Sequence, residues 1–215
     1  MTRSVEKKKS PATGIIRLLK KAYPQAGCTL DFKTPHQLLV STILSAQCTD
    51  ERVNIVTKNL FKKYKKPEDF AGADLQELED DIRSTGFYHN KARAIKESAV
   101  KITNHYSGQV PDKMEELVKL PGVGRKTASV ILGAAYNKAE GIVVDTHVAR
   151  LSKRLGFTRH ADAVKIEKDL LNIITKKDWI IFSHLLIQHG RAVCKARRPE
   201  CGKCALAKLC PSYGI

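Results

Sequence analysis

Four of the six cysteines lie close together near the C-terminus. They form a C-x6-C-x2-C-x5-C array whose short loops can bring four thiolates around one centre: Cys194, Cys201, Cys204 and Cys210. Such spacing indicates a metal site. A zinc ion and a [4Fe–4S] cluster both accept four thiolates, and the spacing alone does not separate them. We favour the cluster because common zinc modules pair two C-x2-C knuckles, whereas this array has one.

The segment that contains these cysteines, the 194–210 loop, is also basic. Arg197 and Arg198 lie between its first two cysteines, and Glu200 is its one acidic residue. Such a positive surface suits DNA phosphates, and the same cations also offset the negative charge of four thiolates. The two roles are compatible, and we predict that Arg197 and Arg198 contact DNA.

A Leu-Pro-Gly-Val-Gly segment at residues 120–124 separates two helical patterns. Gly122 and Gly124 permit positive φ and a close approach of the backbone, so we expect two helices to meet there in a tight hairpin. The amides that open the second helix, at Arg125, can hold a phosphate without reading sequence. The hairpin therefore predicts DNA binding, although such a turn can also be a simple connector.

Lys126 follows the hairpin directly. A helix N-terminus and the neighbouring Arg125 disfavour a second positive charge, so we expect the amine to lose its proton readily and to attack a carbonyl-like carbon. A solvated lysine that binds phosphate is the alternative interpretation.

Asp145 precedes a helical pattern that begins near His147. It is well placed to cap that helix, whose dipole favours a negative charge there. A carboxylate in this position can also stabilise a developing oxocarbenium charge or activate a nucleophile. One residue can have both roles.

The composition favours a polyanionic partner. The 215 residues include 38 Lys and Arg against 22 Asp and Glu, a net charge of +16, although charge alone does not separate nucleic-acid binding from simple solvation. No apolar run approaches the roughly 20 residues of a membrane span, and no apolar segment follows Met1. We expect a soluble, unexported protein in a reducing compartment, where a disulfide role for the cysteines is disfavoured.

Helical periodicity extends along most of the chain. The first ten residues predict a disordered basic tail. Thr34 with Pro35 predicts the start of a helix. Pro67 is interpreted as the end of the helical run that includes Val53 and Tyr64. Only Ile142–Val144 resembles a strand, and it has no evident pairing partner, so we predict an all-α fold. Helices are expected at 13–23, 34–44, 53–64, 74–84, 90–106, 114–119, 125–136, 147–155, 161–174 and 179–191.

Four motifs in order, LLVSTILSAQCTD, LPGVGRKTA, VDTHVAR and the cysteine array, resemble the endonuclease III family of helix-hairpin-helix DNA glycosylases. The resemblance runs from about Ile15 to Cys210. It implies two helical domains with the active site in a cleft between them. A six-helix bundle would occupy 28–138, with the helix-hairpin-helix at about 115–136. A second domain would join residues 1–27, the basic tail and first helix, to C-terminal helices and an iron–sulfur cluster loop within 139–215.

The resemblance also implies the chemistry. Lys126 would attack C1′ of a damaged nucleotide, Asp145 would assist departure of the base, and β-elimination of the resulting Schiff base would cut the strand on the 3′ side. The enzyme would thus be a bifunctional DNA glycosylase and AP lyase with a [4Fe–4S] cluster, a cytoplasmic monomer, beside the nucleoid if bacterial. Its substrate would be duplex DNA with oxidised pyrimidines or abasic sites.

Further DNA contacts follow from the same resemblance. Gln47 matches the residue that fills the gap left by a flipped nucleotide, and Phe87 in TGFYHNKA matches an apolar wedge that is often leucine in the family. His147 and Arg125 complete the predicted DNA-binding set with Gly122, Gly124, Arg197 and Arg198. Two alternatives remain: a monofunctional glycosylase of the superfamily, which Lys126 disfavours, and a non-enzymatic DNA-binding module, which Lys126 and Asp145 disfavour.

Overall fold

The computed structural model describes residues 11–214, and all regular structure in that range is helical, which confirms the all-α fold class. The predicted basic tail lies outside the described residues. None of the described helices is both long and apolar enough to cross a membrane. The α-helices are α1 (Pro11–Ala22), α2 (Pro35–Leu44), α3 (Asp50–Lys63), α4 (Pro67–Gly72), α5 (Leu75–Ile82), α6 (Tyr88–His105), α7 (Met114–Leu117), α8 (Arg125–Tyr136), α9 (Thr146–Arg154), α10 (Ala163–Ile173) and α11 (Trp179–Ala192).

Several helices begin at a side chain that accepts a hydrogen bond from the first turn. Thr34 accepts from the Gln37 amide at 3.2 Å, with Pro35 as the first residue of α2, as the sequence predicts. Thr49, Asp74 and Asp162 cap α3, α5 and α10 in the same way. Local sequence thus sets these helix starts.

Helix α4 was not predicted from the sequence. Pro67 does follow the end of α3, yet it is also the first residue of a new helix, where a missing N–H costs nothing. The carboxylate of Asp69 accepts hydrogen bonds from the backbone amides of Lys65 and Lys66, at 2.8 and 3.1 Å. Phe70 is fully buried and anchors the short helix in the core.

Ile142–Val144, the one segment that resembles a strand in sequence, forms no strand, in agreement with the all-α prediction. Residues 11–214 contain no strand or bridge with which it could pair. One of its carbonyl groups has a side-chain donor instead: Ser183 Oγ donates to Val143 O at 2.8 Å. Ile142 is buried, so its apolar character reflects core packing.

The chain forms two compact units. The central unit, Cys28–Glu140, contains α2 to α8. In it α4 and α5 pack against the long helix α6, and α2 packs against α8. Its fully buried side chains include Leu38, Leu44, Phe70, Leu78, Ile82, Ile95, Ile102 and Leu117.

The discontinuous unit joins the described residues of Met1–Gly27 to those of Gly141–Ile215. Here α11 packs against both α1 and α9. The apolar face of α1, with Ile15, Ile16 and Leu19, is buried against the core that α9, α10 and α11 provide. The N-terminal helix therefore depends on partners from the other end of the chain.

His36 generates a prediction about acid stability. Burial beside Phe70 lowers its pKa to about 4, despite the opposing influence of Glu68 and Asp69. An unfolded chain binds this proton at a pKa of about 6.5. As the pH falls from about 6.5 to 4, protons therefore favour the unfolded state, and we expect His36 to remove roughly 2–3 kcal/mol of unfolding free energy.

Urea unfolding of the wild type and His36→Leu at pH 7.5 and 4.5 tests this expectation. The variant cannot bind the proton, so its stability should fall less on acidification. Equal losses in the two proteins would show that other groups determine the acid sensitivity.

Candidate active site and cysteine cluster

The hairpin at 120–124 is held close to α6. Gly122 has φ +75°, and a Cβ there would lie 3.0 Å from Cβ of Ala94, so both its conformation and its surroundings require glycine. Ser98 Oγ donates to Pro121 O at 2.7 Å. Gly124 differs from expectation: its φ is −86°, and open space surrounds the position of a Cβ. It serves as the N-cap of α8.

Lys126 is the second residue of α8 and is exposed. Gly124 and Arg125 beside it are exposed as well. The backbone amides in the first turn of this 12-residue helix are therefore open to solvent. A flexible amine and a set of backbone donors therefore share one helix end. This arrangement can bind an anionic group and present a nucleophile next to it.

Asp145 is the N-cap of α9, as predicted. Its Oδ1 accepts a hydrogen bond from the Val148 amide at 2.7 Å, and its side chain is half-buried. His147 lies in the first turn, with Nδ1 3.3 Å from a guanidinium nitrogen of Arg150. Burial lowers the pKa of His147; Asp145 opposes this effect, and Arg150 and Arg191 add to it.

Gln47 and Phe87 share an unusual backbone conformation. Their φ angles are +53° and +50°, in the left-handed region that side chains larger than glycine rarely adopt. Gln47 is exposed in the turn after α2, and Phe87 is 62% exposed at the start of α6. Neither is a core or mid-helix residue, which leaves both side chains free to contact a ligand.

The four cysteines of the 194–210 loop line one cavity, together with residues of α9 and α11 such as Leu151 and His189. All four thiols are half-buried and unbridged. No group of three or more His, Cys, Asp or Glu side chains in residues 11–214 is arranged so that it could hold a metal ion. The structure thus brings the predicted ligands to one cavity without gathering them around a point.

Two arginines of α9 hold the beginning of this loop. Arg154 donates to Cys194 Sγ at 3.2 Å, to Lys195 O at 2.8 Å and to Ala196 O at 2.9 Å. Arg150 donates to Cys194 O at 3.0 Å. The guanidinium and carbonyl contacts therefore fix the start of the loop against α9.

His189 links the cavity to the N-terminal helix. Its Nε2 is 3.4 Å from Cys204 Sγ, and its Nδ1 is 2.9 Å from the hydroxyl of Tyr23. The Leu206 amide donates to the same sulfur at 3.4 Å. Polar groups therefore surround Cys204 on more than one side.

Sequence reasoning missed Arg154, His189 and the buried Lys91 of α6. All three act through contacts with residues distant in the chain, which no local pattern reveals. For Arg154 and His189 a partial indication exists, since each is a polar residue within a helical pattern near a predicted functional group. Lys91 is ordinary in sequence and unusual only in its burial.

Comparison with known proteins agrees with this arrangement. The model of the HhH-GPD superfamily of base excision DNA repair proteins matches residues 40–176. Endonuclease III of Synechocystis is 54% identical over 212 residues, which cover 99% of this chain and 97% of that protein. Endonuclease III of Bacillus subtilis is 50% identical, with 87% and 86% covered.

This chain belongs to the endonuclease III family. A non-covalent endonuclease III–DNA complex matches it with a TM-score of 0.86 and 46% identity, over 95% of this chain and 96% of that one. A trapped endonuclease III–DNA covalent intermediate matches with the same score and identity, over 95% and 97%. As an endonuclease III family member the chain is a bifunctional DNA glycosylase and AP lyase of base excision repair, which confirms the predicted activity and DNA as the partner.

Arg154 generates a prediction about the loop. Replacing Arg154 with Met removes the donors to Cys194, Lys195 and Ala196, so we expect the amides of Cys194 and Lys195 to exchange hydrogen about 10- to 100-fold faster. Lys153→Met is the matched control, because Lys153 is exposed on the same helix. Similar exchange in both variants would mean that other contacts hold the loop without Arg154.

Proposed function

We propose that Lys126 is the nucleophile with which this endonuclease III family enzyme excises damaged bases and cuts DNA. The proposal rests on one observation: an exposed amine in the first turn of α8, directly after the hairpin that Gly122 holds against α6. The relative trapped as a covalent DNA intermediate supports an enzyme-bound step. A lysine amine is the group that forms a Schiff base with a sugar carbon.

Water is the only co-reactant that these steps require. Nζ of neutral Lys126 bonds to C1′, the C1′–N bond to the base breaks, and the base leaves with a proton from Nζ. The C1′–O4′ bond of the sugar ring then breaks, O4′ takes a proton from solvent, and a protonated imine forms between Nζ and C1′. Loss of a proton from C2′ then breaks the bond between C3′ and its phosphate oxygen. Water finally releases the sugar aldehyde and restores the amine.

Asp145 is proposed to assist the departure of the base. Its bond to the Val148 amide fixes the carboxylate, and the positive end of the α9 dipole favours its charge. A fixed negative group stabilises the positive charge that develops on the sugar as the C1′–N bond breaks. Capping and catalysis therefore require the same orientation of one side chain.

The proposed substrates are duplex DNA sites with oxidised or ring-saturated pyrimidines, and abasic sites. The family resemblance carried by LPGVGRKTA and VDTHVAR supports this choice. We propose that the enzyme acts as a monomer, without a membrane partner, in the cytoplasm beside the DNA that it repairs.

Several exposed groups are proposed to contact this DNA. Lys195 and Lys203 pair with Glu200 at 2.6 and 3.2 Å, whereas the exposed Arg197 and Arg198 form no ion pair within the described chain. These two arginines are therefore the better candidates for phosphates. The α8 amides at Gly124 and Arg125, with the Gly122 turn, form a second phosphate contact, and Gln47 and Phe87 enter the base stack. His147, half-buried beside Arg150, is assigned a peripheral contact.

A [4Fe–4S] cluster is proposed on Cys194, Cys201, Cys204 and Cys210. Such a cluster takes one thiolate on each iron, so its ligands stand around a larger group than a single ion. In a zinc site with Zn–S bonds of about 2.3 Å the four sulfurs would instead be gathered within about 4 Å of one another. Four thiols that line one cavity without converging on a point, with N–H donors from Arg154 and Leu206 to two of them, suit the cluster better. When bound, the cluster would brace the basic loop.

Lys126→Ala tests the nucleophile. Without this amine no imine forms, so we expect borohydride trapping on abasic-site DNA to disappear and strand cleavage to fall by more than about 100-fold, while duplex binding persists. Lys119→Ala is the control, since Lys119 is an exposed lysine near the hairpin that pairs with Glu116. Undiminished trapping by Lys126→Ala would assign the nucleophile to another residue.

Cys201→Ser tests the cluster. Anaerobically purified wild type should be brown and carry about four irons per chain, and the variant should lose both properties. Cys28→Ser is the control because Cys28 lies in the central unit, outside the array. One zinc per chain in the wild type would refute the assignment.

A further inference from the structure

Lys91 is a lysine in an unfavourable place. It lies in the first turns of α6, where the helix dipole disfavours a cation, and it is only 5% exposed. Burial lowers its pKa, with an opposing influence from Cys48. Because burial of an ammonium group costs free energy, its position calls for a compensating role.

The ammonium of Lys91 joins the two helix ends that precede the Gln47 and Phe87 loops. Its Nζ donates to Leu44 O at 2.7 Å and to Thr85 O at 2.9 Å. Leu44 ends α2, and Thr85 ends the 3-10 turn at Arg83–Thr85. The backbone amide of Lys91 also donates to Phe87 O, at 3.1 Å. We call the two Nζ bonds the Lys91 clamp.

Each loop held by the clamp carries an exposed residue in the left-handed conformation. Gln47 lies three residues after Leu44, and Phe87 lies two residues after Thr85. Such a backbone costs on the order of 1–3 kcal/mol and persists only where its surroundings hold it. The Lys91 clamp provides such support, because one of its two hydrogen bonds lies close in sequence to Gln47 and the other lies close to Phe87.

We propose that Lys91 is a positioning residue that fixes the Gln47 and Phe87 loops relative to each other, so that both side chains enter damaged DNA together. The proposal rests on the DNA roles proposed for these two residues. A rigid pair can be inserted without ordering two loops at the moment of binding, and the entropy saved favours the flipped nucleotide. Lys91 itself does not touch DNA in this arrangement.

Lys96 provides a matched control. It lies on the same helix, is partly buried, and donates through Nζ to the carbonyl of Ala73, which follows α4. Lys91→Met and Lys96→Met therefore each remove an ammonium group that binds a helix-end carbonyl. Only the first acts between the loops of Gln47 and Phe87.

The test compares binding to duplexes with an uncleavable abasic-site analogue and to intact duplexes, with 2-aminopurine beside the lesion to report unstacking. We expect Lys91→Met to lower the preference for the lesion at least about tenfold and to reduce the fluorescence change. The affinity for intact duplex and its salt dependence should stay at the wild-type level, because no phosphate contact is lost. Lys96→Met should keep the full preference.

A double-mutant cycle separates positioning from a general loss of stability. If Lys91 acts through the two side chains, then Lys91→Met should cause little further loss of preference when added to the Gln47→Ala/Phe87→Ala double variant. A full additional loss, or an equal loss in Lys96→Met, would overturn the proposal. Wild-type preference in Gln47→Ala/Phe87→Ala would instead refute the proposed DNA roles. Loss of preference there but not in folded Lys91→Met would refute only the clamp.

Hydrogen exchange keeps the proposal testable if Lys91→Met fails to fold. In the wild-type protein the amides of residues 45–48 and 85–88 should open as one unit, with similar opening free energies, since one ammonium holds both loops. Independent opening of the two loops would contradict the clamp.

Discussion

The close contact between the 120–124 hairpin and α6 fixes where α8 begins, and therefore where Lys126 lies. A side chain at Gly122 would meet Ala94, and a residue other than glycine would strain a turn with φ +75°. The bond from Ser98 to Pro121 O holds the same turn. Because α8 begins three residues after Gly122, this packing sets the position of its first amides and of Lys126. The side chain of Lys126 is exposed, whereas the helix end that carries it is held in place.

Cationic side chains bound to carbonyl groups recur in both units. Lys91 binds the ends of α2 and the 83–85 turn in the central unit, and Arg154 binds the start of the 194–210 loop in the discontinuous unit. Both use the unpaired carbonyl groups that helices and turns leave at their ends. A charged donor forms a stronger bond than a neutral one, so a single side chain can fix a segment that lacks regular structure.

The helices and the candidate residues could largely be predicted from the sequence because apolar periodicity and side-chain caps are local. Asp145 is the clearest example, since capping and its position before α9 follow from neighbouring residues alone. The stop at Pro67 was predicted correctly, but α4 was missed because a proline that ends one helix can also begin another. Ile142–Val144 resembles a strand only because its residues are apolar. Both hairpin glycines permit a positive φ, but of the two only Gly122 adopts one, because Gly124 is the N-cap of α8. The roles of Lys91 and His189 depend on contacts across the fold, which no local pattern contains.

The discontinuous unit also affects how the protein emerges from the ribosome. Translation delivers α1 first, yet the helices that cover Ile15, Ile16 and Leu19 follow only after the whole central unit has been made. The central unit has all its own partners within one continuous stretch and can fold while synthesis continues. During that interval the apolar face of α1 is open to water and to chaperones. Because of this order of synthesis, α1 can pack in its native position only after the helices that follow the central unit have been made.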